Sequence, residues 1–401
     1  MSQVLPTECL NEIFENLEDD DLLSCLLVNR QWCEVSVPIF WRKVQSFDTL
    51  LNCLPNKSKI ILNENGSINS TSISISRQPL FNYVTFIKSL WINEIDYLIT
   101  RFLNQPINSQ SFVKSQNIAI KQEIFKMLMN QTSLKKLSYY TSLDYTYTPF
   151  IVYPGGENCL SKLSIFHCSS NVCHEFINQL SQICHNLKLL KINFRDSITN
   201  GLADFISVQK HLKYLNLRLS LYNLQTFIKL PNSLIKLRIE GRDSCFPFLL
   251  IYKLSNLQEL SLSAHSSLTS FISPEFEYLI KFLENNGWLR IAFPDENMES
   301  NMKSLKVILN SFQQLERMNI SCGPHLLEVR KLLEIVSEFS PKMFYELKID
   351  FGFSLQGLEL GTTFQWELRS SLKCWANRIP CILLSFIVTM HLETDIEMQK
   401  K

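Results

Sequence analysis

Glycine is scarce in this sequence, with only ten residues among 401. Neither G-x-x-x-x-G-K-[ST] nor G-x-G-x-x-G occurs, and both motifs use glycine to bring backbone N–H groups close to a phosphate. Signatures of nucleophilic catalysis, such as Gly-x-Ser-x-Gly or a local Cys–His pair, are also missing. We therefore expect a protein that is not an enzyme and needs no cofactor.

Net charge is also small, at +1, which gives no bulk attraction to nucleic acid or to an anionic membrane. The longest apolar run near the C-terminus, Ile379 to Met390, contains Pro380 and Ser385 and is too short to span a bilayer. A charged segment opens the chain where a signal peptide would need an apolar core. We expect a soluble intracellular protein, in the cytoplasm or nucleus, with its twelve cysteines reduced.

One histidine- and cysteine-rich cluster resembles a metal site in composition. Its members are His167, Cys168, Cys173, His174, Cys184 and His185. Cys173 and Cys184 fall on one predicted helix, roughly 16 Å apart by helix rise, whereas zinc needs four convergent ligands. We expect no metal site.

Residues 5–42 are predicted to form three short helices. Leu10, Ile13, Phe14 and Leu17 follow the i, i+3, i+4, i+7 spacing of one helix face. Leu22, Leu23 and Leu26 belong to a second helix, and Val28, Trp32 and Val35 to a third. About 40 residues rarely form a self-sufficient core. The surplus of apolar residues predicts either a surface that docks on a partner or a helical cap on a larger domain.

The order of these residues resembles an F-box, a module that binds the Skp1-type adaptor of a cullin–RING ubiquitin ligase. The resemblance includes Leu5-Pro6, Ile13-Phe14, Asp21-Leu22-Leu23 and a Val28-x-Arg30-x-Trp32 segment. Asn29 departs from it, since many members have Cys or Ser there. The resemblance implies that nine residues lie in or beneath the adaptor contact: Leu5, Pro6, Leu10, Ile13, Leu17, Leu22, Leu23, Val28 and Trp32. The sequence does not separate the contact residues from the internal core.

The rest of the chain repeats a pattern of one apolar residue, two others, an apolar residue, one other, and a third apolar residue. Clear copies begin at Ile87, Leu160, Leu187, Leu212, Leu234, Leu257, Leu315 and Phe344, with weaker copies at Leu134, Asn286 and Ile379. From Leu134 to Phe344 the copies are spaced 22 to 29 residues apart. Such periods, with strand-like pairs between helical stripes, are typical of leucine-rich repeats, and the segment resembles those of repeat-bearing F-box proteins.

The predicted fold is α/β: an N-terminal three-helix F-box followed by a leucine-rich-repeat solenoid with parallel strands inside and helices outside. We expect the F-box in residues 1–46, a linker with the first further helices in 47–86, the solenoid in 87–392 and a frayed tail in 393–401. Residues 47–54 read as a short helix, and the polar stretch 57–73 as a loop.

Basic residues predominate beside the predicted strands. Repeat proteins bind with their concave face, so Arg195, Arg218, Arg238 and Arg242 are candidates for holding an acidic or phosphorylated protein. A solvated sheet face would show the same residues without binding anything.

Together these features predict a substrate-recognition subunit of an SCF-type ubiquitin ligase. Its F-box would bind the adaptor, and through it the cullin and RING subunits, while the repeats bind a protein substrate. The alternative is a leucine-rich-repeat interaction scaffold with a helical cap and no link to ubiquitin.

Overall fold

The computed structural model falls into two compact units, Met1–Lys188 and Leu189–Lys401. The residues that it describes are 5–65, 79–103, 111–140, 150–194, 200–219, 230–241, 251, 253–264, 276–283, 288–292, 298–322, 329–351 and 385–390. The predicted tail, 393–401, lies outside them.

Three helices open the first unit: α1 (Thr7–Phe14), α2 (Asp19–Cys25) and α3 (Arg30–Phe40). They enclose a small core of their own: Leu10, Phe14, Leu22, Cys25, Val35 and Ile39, with Leu17, Trp32 and Phe40 partly buried against it. The rings of Phe14 and Trp32 meet edge to face with centroids 5.1 Å apart, a favourable geometry for aromatic pairs. The predicted three-helix module is therefore present.

Asn29 has a structural role at the start of α3. Its side chain accepts a hydrogen bond from the backbone N–H of Trp32 at 2.9 Å, so it caps a helix end whose first N–H groups have no partner within the helix. Asn29, where the sequence departs from the F-box pattern, therefore stabilises the start of α3.

The end of the module is joined closely to the chain that follows. Trp41 is buried, and the centroid of its ring lies 4.5 Å from that of Tyr83. The carbonyl of Arg42 accepts hydrogen bonds from the backbone N–H groups of Lys88 and Ser89, and its guanidinium pairs with both carboxylate oxygens of Glu15. The three helices are thereby held to the first strand.

The segment between module and sheet is more helical than the sequence predicts. The expected short helix is α4 (Phe47–Asn52). The polar stretch 57–73, predicted to be a loop, begins with α5 (Asn56–Glu64), so the loop prediction is wrong over 57–64. Buried Leu62 and the Lys59 ammonium, which donates to the Asn52 carbonyl at 2.8 Å, anchor this helix. Residues 66–78 lie outside the described part.

A parallel sheet of three strands completes the first unit. The strands are β1 (Ser89–Trp91), β2 (Lys136–Tyr139) and β3 (Ile165–Ser169). Between the strands lie α6 (Ile92–Phe102), α7 (Ser111–Gln131) and α8 (Gly156–Leu160), and α9 (His174–Ile183) follows β3. Leu90 and Leu137 align in register and are buried, as the repeat pattern predicts. In β3 the aligned residue is the buried Phe166 and not the predicted Leu163, so this copy lies three residues later than predicted.

Gly155 occupies a backbone conformation that other residues rarely adopt, with φ at 85°. A Cβ there would lie 2.6 Å from the Met129 carbonyl oxygen. Gly155→Ala is therefore expected to lower the free energy of unfolding by about 2–4 kcal/mol, which urea titration measures. A loss below about 0.5 kcal/mol would contradict this placement of the glycine.

The second unit repeats the same strand-and-helix arrangement. Its described strands are β4 (Leu189–Phe194), β5 (Tyr214–Leu219), β6 (Lys236–Gly241), β7 (Glu259–Ala264), β8 (Trp288–Ala292), β9 (Arg317–Cys322), β10 (Glu346–Phe351) and β11 (Ser385–Met390). Its described helices are α10 (Asn200–Ser207), α11 (Phe276–Leu283), α12 (Met298–Ser311) and α13 (Val329–Phe339). Sequential strands pair in parallel.

Two rows of apolar side chains run across this sheet on one face. One row joins Leu190, Leu215, Leu237, Leu260, Leu289, Met318 and Leu347. The other joins Ile192, Leu217, Ile239, Leu262, Ile291, Ile320 and Ile349. Both rows are almost fully buried, so each repeat contributes two side chains to a continuous core.

The last repeat is displaced from its predicted position. The copy beginning at Ile379 would place the strand about four residues earlier. Instead β11 begins at Ser385, and its register aligns Phe386 with Leu347 and Val388 with Ile349.

Candidate docking surfaces

The structure divides the nine predicted adaptor residues into core and surface. Leu10 and Leu22 are only 1% and 3% exposed and lie in the core of the three helices. Leu17 and Trp32 are partly buried against that core. The remaining five, Leu5, Pro6, Ile13, Leu23 and Val28, are exposed. Of the nine residues, these five are the ones best placed to contact a partner directly.

Exposed apolar residues lie on α1, on α2 and on the segments that precede α1 and α3. Ile13 on α1 is 48% exposed, and Leu23 on α2 is 50% exposed. Val28, just before α3, is 56% exposed. The side chain of Gln31 donates to the Leu5 carbonyl at 3.1 Å, which places Leu5 beside the start of α3. We call Leu5, Pro6, Ile13, Leu23, Leu27 and Val28 the apolar surface of the module.

Leu27 is a member of this surface that sequence reasoning missed. It is 86% exposed, the most exposed large apolar side chain among the described residues of the module. Leu26 and Val28 on either side were assigned from helical spacing, and Leu27 fits neither stripe. The signal in the sequence was the uninterrupted run Leu26-Leu27-Val28. Three consecutive apolar residues cannot all lie on the buried faces of the two helices that they join.

Comparison with protein families decides the nature of the N-terminal module. Residues 2–45 match the family model described as F-box-like. The N-terminal module is an F-box-like domain. The match spans α1 to α3 and ends just beyond Trp41 and Arg42, where the structure joins the module to the following strand.

Other comparisons add little to this assignment. A search of curated proteins found no match. Among solved structures, the chain is similar to the leucine-rich repeat-containing protein LegL7 from Legionella pneumophila, at 16% identity and a TM-score of 0.34, over 57% of this chain and 77% of that chain. The repeat architecture therefore rests on the strands and register of this chain itself.

The sheet of the second unit carries a row of polar side chains on the face opposite its buried apolar rows. Parallel pairing aligns one side chain from each of β4 to β10 on the face opposite the leucine rows. We call this set the central polar row: Lys191, Asn216, Arg238, Ser261, Arg290, Asn319 and Lys348. A second polar row, two residues further along each strand, includes Arg218, Glu240 and Asp350.

Two of the four predicted substrate-binding arginines lie on these rows. Arg218 and Arg238 both contact the buried carboxylate of Glu240, with N–O distances of 2.9 and 2.7 Å. Both arginine side chains remain partly exposed. Arg195 and Arg242 lie outside the described residues. Two cations therefore share one carboxylate at this point of the sheet.

Glu240 is kept ionised despite its burial. Burial alone raises the pKa of its carboxyl group, but the hydrogen bond from Arg218 and the charges of Arg238 and Lys191 outweigh that effect and lower the pKa below its usual value. Sequence reasoning selected the arginines for binding and did not see this internal partner.

Glu240→Gln is expected to destabilise the protein by about 1–3 kcal/mol at neutral pH, because the amide lacks the negative charge and offers one acceptor oxygen where the carboxylate offers two guanidinium groups one oxygen each. Since the folded-state pKa of Glu240 is below the unfolded value, its stabilisation is present above the unfolded pKa and is lost as pH falls through the folded pKa. Urea unfolding of both proteins across pH measures this. A difference that persisted unchanged well below about pH 3 would contradict the assignment.

The cysteine and histidine cluster does not form a metal site in the described part of the chain, where no three His, Cys, Asp or Glu residues are grouped closely enough to hold an ion. Cys168 and Cys184 are fully buried. Burial raises the pKa of the Cys184 thiol to about 12 and also raises that of Cys168, so both stay protonated. Among the described helices, none has the length and apolar character that a bilayer crossing requires.

Proposed function

We propose that this protein is a substrate-recognition subunit of a cullin–RING ubiquitin ligase of the SCF type. The apolar surface of the F-box-like domain would bind a Skp1-type adaptor, which links it to the cullin and RING subunits. The repeats would bind the protein to be modified. The observation that carries this proposal is the exposure of Leu5, Ile13, Leu23, Leu27 and Val28 on a domain that already has its own core.

Such a surface is costly to leave in water. Exposed single apolar residues are ordinary, but several large ones on about 40 residues are typical of a docking site. The buried set, Leu10, Phe14 and Leu22, completes the fold without them. The exposed set is therefore available to a partner without any rearrangement of the helices.

In this proposal the protein performs no bond chemistry. It holds a substrate lysine close to a ubiquitin-charged enzyme carried by other subunits, so that transfer proceeds at a high effective concentration. The roles of adaptor and substrate are separate in the chain, since the F-box-like domain lies within residues 2–45 and the central polar row within β4 to β10.

A reconstituted reaction tests the proposal. Proteins retained from a lysate by the full chain would be supplied with adaptor, cullin and RING subunits, ubiquitin and its activating and conjugating enzymes. We expect a retained protein to acquire ubiquitin only when both this chain and the adaptor are present. A chain lacking residues 1–45 is the control and should retain the protein without supporting transfer. Equal transfer with and without the full chain would refute the proposal.

A further inference from the structure

A small recess lies in the middle of the central polar row. It is lined by Tyr214, Lys236, Leu237, Arg238, Glu259, Ser261 and Arg290 and has a volume of about 40 Å³. Ser261, one of the lining residues, is almost fully buried, and the register places it directly between Arg238 and Arg290. A short side chain between two long ones leaves a space that fits one small chemical group.

The two arginines are held in place by carboxylates on the neighbouring polar row. Nε of Arg238 is 2.7 Å from Glu240, and Nη2 of Arg290 donates to Asp350 at 3.0 Å. A guanidinium carries five N–H donors, so each pairing leaves further donors. The arginines stand two strand spacings apart, about 10 Å, which lets both reach an anionic group placed above Ser261.

Local charge favours an anion despite the nearby carboxylates. Glu240 is shared by Arg218 and Arg238 and is also close to Lys191, while Glu259 is paired with Lys236 at 2.6 Å. The carboxylates here are thus already bound by cations, and the cations on this face exceed them in number.

The members of the same row that flank the two arginines carry buried acceptors without donors. Among the residues that the structure describes, Oδ1 of Asn216 and Oδ1 of Asn319 have no hydrogen-bond partner, although each residue is more than nine-tenths buried. Asn216 pairs with Arg238 and Asn319 with Arg290, so the order across five strands is Asn, Arg, Ser, Arg, Asn. An unsatisfied buried acceptor costs about 1–3 kcal/mol and indicates a ligand that supplies N–H groups.

We propose that this row binds an extended acidic peptide segment, with the carboxylate or phosphoryl group of one side chain in the recess between Arg238 and Arg290. Rotation of the Asn216 and Asn319 side chains would bring their buried Oδ1 atoms to N–H groups of the peptide backbone, which a free inorganic anion does not carry. The two asparagines are four strand spacings apart, about 19 Å, a span of about six extended residues. This inference rests on the proposed function, in which the second unit holds the substrate.

Degenerate peptide pools test the inference directly. Each pool has random flanking residues and a fixed central Asp, phosphoserine or Ser, and is passed over the immobilised full chain. We expect the Asp or the phosphoserine pool to be retained at least about tenfold better than the Ser pool. Retention of the Asp pool assigns a carboxylate to the recess, and retention of the phosphoserine pool alone assigns a phosphoryl group.

Variants locate the binding. Ser261→Leu fills the recess without changing charge and should reduce retention to the level of the Ser pool. Arg238→Gln, which leaves Glu240 paired with Arg218, should do the same if Ser261→Leu fails to fold. Lys331→Gln, which removes an exposed cation on α13 and not on the row, is the matched control and should retain the acidic pool within about twofold. Equal retention of all pools, or of the acidic pool by a folded Ser261→Leu protein, would overturn the inference. Adaptor binding by the same preparations reports separately on the proposed function.

Discussion

Ile13→Asp combined with Val28→Asp is expected to weaken binding of a Skp1-type adaptor by about a thousandfold. Both side chains are about half exposed, so the changes place two charges in an apolar contact without opening the core. Hot-spot residues of an interface contribute about 2 kcal/mol or more each, and losing two of them gives about three orders of magnitude in affinity. Titration calorimetry with purified adaptor measures the change.

The control for that experiment is Ile61→Asp. Ile61 lies on α5, outside the F-box-like domain, and is 44% exposed. It matches Ile13 in residue type and exposure, so its replacement should leave adaptor affinity within about twofold and the melting temperature nearly unchanged. If the double variant bound the adaptor as well as Ile61→Asp does, the apolar surface would not be the adaptor contact.

Phe14→Ala is expected to lower the stability of the F-box-like domain by about 3–5 kcal/mol, because it empties a buried site and removes the ring contact with Trp32. A domain of this size has little stability to spare. We expect the amides of α1 to α3 to lose protection from hydrogen exchange, and adaptor binding to fall with them.

The neighbouring residue provides the comparison for Phe14→Ala. Ile13→Ala is on the same helix but on its exposed side. The opening free energies from hydrogen exchange should therefore change by less than about 0.5 kcal/mol, while adaptor binding weakens. Protection in α1 to α3 that survived Phe14→Ala intact would show that this ring does not hold the three helices together.

The repeats were predictable from sequence because each strand contributes two buried residues at a fixed spacing. Leu215 and Leu217 illustrate this, and even the weak copy at Asn286 gave a real strand through Leu289 and Ile291. The copy at Leu160 was placed three residues too early, and the final copy failed because the run Cys381 to Val388 is apolar at nearly every position. The spacing therefore fits two registers four residues apart, and pairing with β10 selects the later one.

Helix α5 and the exposed residues of the F-box-like domain were harder to predict from sequence. Asn56–Glu64 is polar overall, and its helical state depends on contacts such as buried Leu62, which local composition does not reveal. Ile13 and Phe14 are adjacent and similar in character, yet one is exposed and the other buried. The face of α1 that packs on α3 decides between them, and that choice is set by tertiary packing.

Substrate-side residues were only partly predictable. A count of basic residues beside the strands selected Arg218 and Arg238, but charge alone could not show that both share Glu240. Nor could it show that Ser261 leaves a recess between Arg238 and Arg290, which depends on the pairing of three strands.

The central claim is that the exposed apolar side chains of residues 5–28 are covered by a dedicated adaptor. The most direct measurement is equilibrium binding of the full chain to a purified Skp1-type adaptor, combined with hydrogen exchange of the complex. We predict a one-to-one complex with a Kd below about 1 µM, as expected for an interface of standard size, and slower exchange around Ile13 and Val28. A chain that stayed unbound at about a hundred times that concentration, or bound without any protection there, would contradict the account.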